Sequence, residues 1–592
     1  MNKEPFLPFV DTDIDPNWKP DTPPSLDGIH EIFLDTETTG LKWWDDDLPV
    51  GISLATPDGR KWYLPFGHRG GGNLCENQVK RWALQELKGK RIVGANTKFD
   101  IHMLRSWGVD LAEMGCEASD VQHYAALLDD NRRKFSLDSL SRDFLGEGKK
   151  EIDIIRVADM HASKVAEYAI HDAFLTKRLK EVFWPMLDAE DLQRVRALED
   201  EIIFVVCEME KNGHPIDMDL LERWEEETEQ IVGKELFKIE RDTKIKVNPK
   251  SPYEMADLFK KLNIEPTEYT DTGLISTANS ALEKFDHPII KRALRAGQIA
   301  DLRSKYLVPW KKHVTDGIFR FNLHQLRGDK YGTVSGRFSS SNLEGVRGSH
   351  IQQVLSLSKQ KQRYGDDFVI RKLFIPASGL FLSSDAAQIE YRLFAHFAEP
   401  PKVLEAYRKD PHVSFHEIVH GLIKPLIDIE YKTAKDINFA KLYGAGVHKL
   451  ALMLGLDEKT AGFFNRTYNR LFPEAAKLLT YASKLAKQRG YVKTILGRRA
   501  RFNDERKLHS ALNRVIQGSA ADIMKRKLVE LYNERKRIGT VMRSTVHDEY
   551  CGDIADEESG KMVDEILNRQ SFPTNVPILW ETNVGKNWAE CK

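Results

Sequence analysis

The chain changes from a strand pattern to a helix pattern within Leu380-Phe381-Leu382-Ser383-Ser384-Asp385-Ala386-Ala387-Gln388-Ile389-Glu390-Tyr391-Arg392. The first three residues are apolar and predict a short buried strand. Ile389, Leu393 and Phe397 recur four apart, which predicts a helix that begins soon after Asp385. A carboxylate at such a strand tip has rigid support and faces solvent, as a metal ligand requires. An Asp before a helix is more often a cap, so the metal interpretation needs a partner elsewhere in the chain.

Length and composition indicate a soluble protein of several domains. The 592 residues exceed what one hydrophobic core can organise and predict about two to four domains. The five cysteines are far apart and odd in number, which favours a reducing compartment over a disulfide framework or a zinc ribbon. No apolar stretch is long enough to span a membrane and no targeting signal is visible, so we expect a cytoplasmic location without membrane contact.

Charge is unevenly distributed along the chain although the formal net charge is only −1. Residues 480–543 contain 17 Lys and Arg but only 5 Asp and Glu. Such a block is typical either of a surface that faces phosphate or of a solvated helical face, and composition leaves both open. A second basic helix, predicted between Pro288 and Trp310, suits a clamp on a polyanion.

Acidic residues recur in the first third of the chain at spacings that bring them together. Asp35 and Glu37 lie two apart on a predicted strand, so their side chains share a face. Asp100 begins a predicted helix, and Tyr168 and Asp172 lie four apart on another. Four carboxylates on such a scaffold can hold two divalent cations about 3.5–4 Å apart that support phosphodiester hydrolysis. Tyr168 would orient the attacking water.

Asp548 supplies a partner for Asp385. Short β-prone runs flank His547 and Asp548, which predicts a hairpin with Asp548 at its tip. If the two tips meet, Asp385 and Asp548 form a second carboxylate pair for two cations. The nucleophile there would be a 3′ hydroxyl, and the leaving group would be pyrophosphate.

A predicted helix between these two motifs carries Lys435, Phe439 and Tyr443, each four residues apart. An ordinary core stripe is aliphatic, whereas here an ammonium could meet a triphosphate while the rings stack on a base. Amphipathic packing is the alternative that the pattern leaves open. The Gly/Ser/Thr-rich stretch around Arg337 suits either a phosphate or minor-groove contact, or a flexible loop.

Taken together, these motifs resemble two known families. Residues 28–187 hold Asp-x-Glu, Asn-x-x-x-Asp and Tyr-x-x-x-Asp in the order found in the DEDD superfamily of 3′–5′ exonucleases. Residues 200–592 resemble family A DNA polymerases, the DNA polymerase I class. The motifs that carry this resemblance are Asp-x-x-Gln-Ile-Glu at 385–390, Lys-x-x-x-Phe-x-x-x-Tyr-Gly at 435–444, Gln-Gly-Ser-Ala-Ala-Asp at 517–522 and Val-His-Asp-Glu at 546–549.

The resemblance implies an α+β multidomain fold, in which an RNase H-like exonuclease domain precedes a right-hand polymerase. The implied divisions are an N-terminal tail at 1–27, the exonuclease domain at 28–187, the thumb at 188–330, and palm and fingers at 331–592, with fingers at about 400–505. The chain starts about where the exonuclease domain starts, so we expect no 5′ nuclease. This favours a replicative polymerase of a phage or similar element, located in the host cytoplasm.

The implied function is template-directed extension of a primer 3′ end with dNTPs, together with 3′–5′ proofreading. A single-subunit RNA polymerase relative is one alternative, and a non-catalytic replication scaffold is another. Glu390 and the exonuclease motifs argue against the first, and the intact acids of both sites argue against the second. The expected partners are primer-template DNA, dNTPs, and a helicase, primase or processivity factor.

The resemblance also assigns individual residues. The implied metal ligands are Asp385 and Asp548 for two Mg²⁺ ions in the polymerase site, and Asp35, Glu37, Asp100 and Asp172 for two in the exonuclease site, where Mn²⁺ can substitute. The implied nucleotide contacts are Lys435 at the triphosphate and pyrophosphate, Glu390 at the sugar 2′ position, and Gln388, His412, Phe439 and Tyr443 in the pocket. The implied DNA contacts are Arg337, Gln517, His547 and the basic block at 480–543.

Three features depart from the family pattern. Tyr431 stands one turn before Lys435, where the family usually has Arg. Ala386 and Ala387 follow Asp385 in place of the commoner Tyr-Ser, and residues 343–363 contain extra material. None of these departures removes an expected metal ligand.

Overall fold

The computed structural model describes residues 17–343, 350–425, 429–442 and 446–591, and for Phe439 and Leu442 it describes the main chain only. Tyr443 lies outside the described residues, as do residues 344–349 of the predicted insertion. Helices and strands alternate along the chain in several sheets and helical layers, which confirms the predicted α+β class. None of the described helices combines the length and apolar character needed to cross a membrane.

The first region folds around a five-stranded mixed sheet. Its elements are β1 (Glu31–Thr38), β2 (Pro49–Ala55), β3 (Lys61–Pro65), α1 (Glu76–Glu86), β4 (Arg91–Gly94), α2 (Thr97–Ser106), β5 (Glu117–Asp120), α3 (Val121–Leu128), α4 (Leu137–Leu145) and α5 (Ala162–Ala189). The strand order is β3-β2-β1-β4-β5, with β4 parallel to β1 and β2 antiparallel to it. The predicted strands and the helix that follows β4 are confirmed.

Helices cover both faces of β1. Ile32 and Leu34 pack into a buried cluster with residues of α1 and α2. Phe33, on the opposite face, packs into a cluster that includes residues of α3 and α5. Asp35 and Glu37 alternate onto the Phe33 face, so the strand directs both carboxylates toward α5.

The segment expected as a tail or extended arm is described from residue 17 onward and lies along this first region. The Tyr63 amide donates to Asp21 Oδ2 at 3.0 Å, and Trp82 Nε1 donates to Pro24 O at 2.6 Å. Leu26 is fully buried. Residues 17–27 therefore add packing to the sheet domain.

A mainly helical region follows. Its elements are α6 (Gln193–Asn212), β6 (His214–Pro215), α7 (Met218–Thr243), α8 (Pro252–Leu262), α9 (Asn279–Leu282), α10 (Pro288–Leu302), α11 (Val308–His313), β7 (Val314–Thr315), β8 (Ile318–Phe319) and β9 (Asn322–His324). Helix α6 ends before Gly213, which adopts a φ of +50° that disfavours other residues. Helices α7 and α10 pack against each other, and a small separate core lies at their far end.

The C-terminal region is built on a four-stranded antiparallel sheet of order β14-β15-β11-β16. Its elements are β10 (Ser339–Ser341), α12 (Leu357–Tyr364), β11 (Leu380–Ala386), α13 (Ile389–Ala398), α14 (Pro401–Lys409), α15 (Phe415–Ile423), α16 (Tyr431–Leu442), α17 (Val447–Leu454), α18 (Glu458–Leu471), α19 (Pro473–Arg489), β12 (Tyr491–Lys493), β13 (Arg499–Arg501), α20 (Ala511–Ile538), β14 (Thr540–Val546), β15 (Glu549–Ile554), α21 (Glu557–Asn568) and β16 (Trp580–Gly585). The predicted strand-to-helix change after residue 380 and the predicted hairpin are confirmed.

Much of the basic block at 480–543 turns inward. Arg498 and Lys525 are buried and contact Glu199 of α6 at 2.5 and 2.7 Å, and Arg498 also contacts Asp522 at 2.7 Å. Further pairs join Arg499 and Arg501 to Glu190, Arg514 to Asp130, Arg526 to Glu201, Arg535 to Glu208 and Lys536 to Glu113. The expectation that this block faces DNA is wrong for its mostly buried members, because acidic partners bind them within the protein: Arg498, Arg499, Arg501, Arg514, Lys525 and Arg535. Arg526 and Lys536 are more exposed.

We predict that Glu199→Ala lowers the free energy of unfolding by about 3–5 kcal/mol, because it leaves Arg498 and Lys525 buried without their anion. Urea or thermal unfolding of the full chain measures the change. The matched control is Glu201→Ala on the same helix, whose partner is Arg526 at 2.7 Å. Because that pair is partly exposed, its loss should cost less than about 1 kcal/mol. Equal shifts for the two variants would contradict a stabilising role for the buried network.

Candidate active sites

The first region brings its predicted acids together. Asp35 and Glu37 project from β1 toward α5, which carries Tyr168 and Asp172. Asp100 on α2 reaches the same strand, where the amide and hydroxyl of Thr36 donate to its Oδ1 at 2.9 and 2.7 Å. The exposed fractions are 7% for Glu37, 2% for Asp100 and zero for Asp172, so these charges are held away from solvent.

Burial and mutual repulsion perturb these carboxyl groups. Burial, followed by the charge of Asp172, raises the pKa of Asp35 to about 7. Burial, followed by the charge of Asp35, raises the pKa of Glu37 and of Asp100 well above their ordinary values. Buried carboxylates this close together are stabilised either by protonation or by binding cations. Bound divalent ions would lower the raised pKa values again.

Lys149 is a member of this cluster that sequence reasoning missed. Its Nζ forms an ion pair with Asp172 and lies 4.9 Å from the centroid of the Tyr168 ring. Lys149 precedes α5 in an irregular segment, and no motif or periodicity marks it out from the neighbouring Lys150. Only the tertiary contact identifies it.

The donor set fits divalent cations. Within the described ranges, no three carboxylate, imidazole or thiolate groups converge closely enough to hold an ion as they stand. All the available donors are nevertheless hard carboxylate oxygens, which Mg²⁺ and Mn²⁺ prefer. Glu37 Oε1 and Asp172 Oδ1 are buried and accept no hydrogen bond from any described residue. A cation would satisfy such oxygens, whereas an uncompensated buried anion is costly.

The second pair of carboxylates meets at the tips of neighbouring strands, as predicted. In the β11–β15 register Asp385 lies opposite Glu549, the residue after Asp548. The Ala386 amide donates to Asp548 O at 3.0 Å, which ties the two tips together. His547 turns the hairpin with a φ of +59°, a conformation uncommon outside glycine, and the turn places Asp548 at the tip.

Arg337 joins two groups that were predicted to act separately. Its Nη2 lies 2.6 Å from Glu390 Oε1 and 3.3 Å from Asp548 Oδ1. The loop that carries it rests on buried Arg498, since a Cβ added to Gly336 would approach Arg498 Nε to 2.8 Å. Arg498 therefore packs against Gly336, the residue before Arg337, a contact that no local sequence signal shows.

Gln388 contacts a neighbouring helix. It has a φ of +50° at the start of α13, and its side-chain oxygen accepts from the Phe415 amide at 3.0 Å. Its side-chain nitrogen donates to Ser414 Oγ at 2.8 Å. Gln388 thereby fixes the N-terminus of α15, close in sequence to His412, which lies exposed on the preceding turn.

Lys435 and Phe439 lie on α16, which confirms the predicted helix. The Lys435 side chain is exposed. Burial, followed by the charge of Lys435, lowers the pKa of His416 to about 4, which places the ammonium near α15. Tyr431, where an Arg was expected, packs edge-on against His420 with ring centroids 5.9 Å apart.

Gln517 lies on α20 beside the loop of Arg337. A Cβ added to the adjacent Gly518 would come 3.3 Å from Ser335 O, so this helix and the loop approach closely. Of the three predicted DNA contacts, Arg337 and His547 thus adjoin the strand tips, and Gln517 adjoins the Arg337 loop.

Comparisons with known proteins identify the family of this chain. Residues 218–590 match the family model for DNA polymerase family A. The DNA polymerase DpoZ of Acinetobacter phage SH-Ab 15497 is 27% identical over 94% of this chain and 95% of its own length. The DpoZ of Salmonella phage PMBT28 is 28% identical over 90% and 92%. The thermostable DNA polymerase I of Thermus filiformis is 31% identical over 74% of this chain and 53% of its own.

A solved structure shows the same fold over nearly the full length. The POL domain of Pol1 from M. smegmatis, solved in complex with DNA primer-template and dNTP, has a TM-score of 0.78 and 21% sequence identity. The similarity covers 95% of this chain and 96% of that chain. The family-model match spans more than half of the chain and includes α16 and both strand tips, and the chain therefore belongs to DNA polymerase family A.

Proposed function

We propose that the protein is a template-directed DNA polymerase that extends a primer 3′ end with dNTPs and proofreads with a 3′–5′ exonuclease. One observation carries the proposal: a single chain holds two separate carboxylate groups, one at Asp385 and Asp548 and one around Asp35. Family A membership supports the polymerase activity. The complex of the structural neighbour with DNA primer-template and dNTP supports these substrates. In this proposal residues 28–187 form the exonuclease domain, 188–330 the thumb, and 331–592 palm and fingers.

In the polymerase site, Asp385 and Asp548 would hold two Mg²⁺ ions, which activate a 3′ hydroxyl and neutralise the triphosphate. Lys435, exposed on α16, would bind the triphosphate and deliver a proton to the departing pyrophosphate. Glu390, held by Arg337 beside Asp548, would crowd the sugar 2′ position and exclude ribonucleotides. This placement of Glu390 favours a DNA polymerase over a single-subunit RNA polymerase.

The remaining assigned residues would complete that site. Gln388 would act mainly by fixing α15 and the turn of His412 at the nucleotide pocket. Phe439 and Tyr443 are proposed to stack on the incoming nucleotide and close the pocket. Gln517 and His547 would contact the primer end beside Arg337.

In the exonuclease site, Asp35, Glu37, Asp100 and Asp172 would hold two Mg²⁺ or Mn²⁺ ions, which generate the attacking hydroxide and stabilise the leaving oxygen. The Tyr168 hydroxyl would orient the water. Lys149, which pairs with Asp172, would meet the phosphate that approaches these acids.

A cleft of about 520 Å³ between α2 and residues 322–331 suits a single strand. Trp43 stacks on His102 with ring centroids 3.8 Å apart, and Tyr331 stacks on His324 at 4.7 Å. Lys98, also in the lining, pairs with Glu210 at 2.6 Å. Aromatic platforms with nearby cations bind single-stranded nucleic acid without regard to sequence. The cleft would hold a melted primer end.

We further propose that the protein is a phage replicative polymerase. Two phage relatives match over nearly their whole length as well as that of this chain. A helicase, primase or processivity factor would accompany it in that setting.

We predict that Asp548→Ala reduces primer extension more than about 100-fold, because it removes one ligand of each polymerase-site cation. Extension of a labelled primer with Mg²⁺ and dNTPs measures this loss. Degradation of single-stranded DNA should continue at the wild-type rate. Glu558→Ala, which removes an exposed carboxylate on α21, is the matched control and should leave both activities unchanged. Loss of both activities in folded Asp548→Ala protein would contradict separate sites.

We predict that the double variant Asp35→Ala/Glu37→Ala loses degradation and keeps primer extension. Degradation of a labelled single strand should fall more than about 100-fold, because two acids of the buried cluster are gone. Extension of a matched primer by the same preparation should stay within about twofold of wild type and serves as the internal control. Degradation that persists at the wild-type rate would rule out this cluster as the exonuclease site.

A further inference from the structure

Tyr63 lies beside the exonuclease carboxylates, although neither its position in the sequence nor the family motifs select it. The strand registers pair Asp35 with Ser53 on β2, and Ser53 with Tyr63 on β3. Residues paired directly across strands share a sheet face, so Tyr63 projects on the face of Asp35 and Glu37. The side chain is 1% exposed.

The Tyr63 hydroxyl occupies the space left by the missing side chain of Gly51. A Cβ added to Gly51 would collide with the Tyr63 Oη. Gly51 is the residue paired with Glu37, so the hydroxyl lies about one strand spacing, ~4.8 Å, from the Glu37 position. After burial, the charge of Glu37 is the largest cause that raises the pKa of Tyr63. Both observations place the phenol next to the Glu37 carboxylate.

His68 determines where the Tyr63 proton points. His68 Nδ1 lies 3.0 Å from Val157 O, and because a carbonyl oxygen only accepts, Nδ1 carries the proton. Nε2 therefore presents a lone pair, and it lies 2.5 Å from Tyr63 Oη. Burial lowers the pKa of His68 to about 4, so the ring is neutral near pH 7. Tyr63 thus donates its proton to His68 and has none to offer Glu37.

We propose that Tyr63 and His68 are positioning residues that keep the Glu37 carboxylate available to a divalent cation. Glu37 Oε1 is buried and accepts no hydrogen bond from the described part of the chain, although a hydroxyl lies nearby. A phenol proton directed at Glu37 would compete with a cation for the same oxygen. The inference rests on the proposed exonuclease function. Val157 precedes α5, so the pair also links β3 to the segment that leads to Asp172.

The test measures Mn²⁺ binding by electron paramagnetic resonance on the full chain, in an Asp385→Ala/Asp548→Ala background that removes both polymerase-site ligands. His68→Phe frees the Tyr63 proton for Glu37 and should weaken Mn²⁺ binding about tenfold, the size of a hydrogen bond to a charged group. Tyr63→Phe should bind as the background does. The double variant His68→Phe/Tyr63→Phe should recover the background affinity within about twofold, because no proton remains to donate.

A purely structural role gives a different pattern, in which the double variant binds at least as weakly as His68→Phe. That result, or unchanged binding by His68→Phe, would overturn the inference. If Phe at position 68 prevents folding, as shown by thermal unfolding, the smaller His68→Leu carries the same expectation. Failure of the exonuclease proposal is distinguishable: Asp35→Ala/Glu37→Ala would then bind as much Mn²⁺ as the background protein.

Discussion

Carboxylates fixed side by side repel one another, and this repulsion governs the proposed exonuclease site. In the first region burial adds to it, and the pKa of Asp35 rises to about 7. At the second site Arg337 lies 3.3 Å from Asp548 and offsets part of the charge. The acids cannot separate, because the strand registers of β1 and β11 hold them in place. Both arrangements therefore favour the binding of divalent cations, the ions that phosphoryl transfer needs.

The buried basic side chains Arg498 and Lys525 hold the chain together and do not face the proposed sites. Glu199 on α6 contacts both Arg498 and Lys525, which are buried in the C-terminal region. Arg498 in turn packs against Gly336, the residue before Arg337. The contacts that join α6 to the C-terminal region thus also hold the loop of a residue of the proposed polymerase site.

Local patterns were sufficient to predict the elements that carry the acids. Three such patterns are visible within short stretches of sequence: the alternation in β1, the four-residue spacing of Tyr168 and Asp172, and the β-prone runs around His547 and Asp548. The roles of Lys149, Tyr63 and Arg498 depend on residues far away in the sequence. Arg498 and Glu199, for example, are 299 positions apart. Composition also cannot distinguish an arginine that faces DNA from one that is paired inside the protein. For this reason the expectation that residues 480–543 face DNA is wrong for the mostly buried members of the block.

The central claim is that two cation-dependent sites act on the same primer end. The most direct measurement follows a labelled primer with a mismatched 3′ nucleotide, annealed to a longer template, with wild-type protein, Mg²⁺ and all four dNTPs. Sequencing of the extended products shows whether the terminal nucleotide was replaced. The account predicts that the mismatch is removed before extension and that the products carry the templated base. Extended products that retain the mismatch would contradict it.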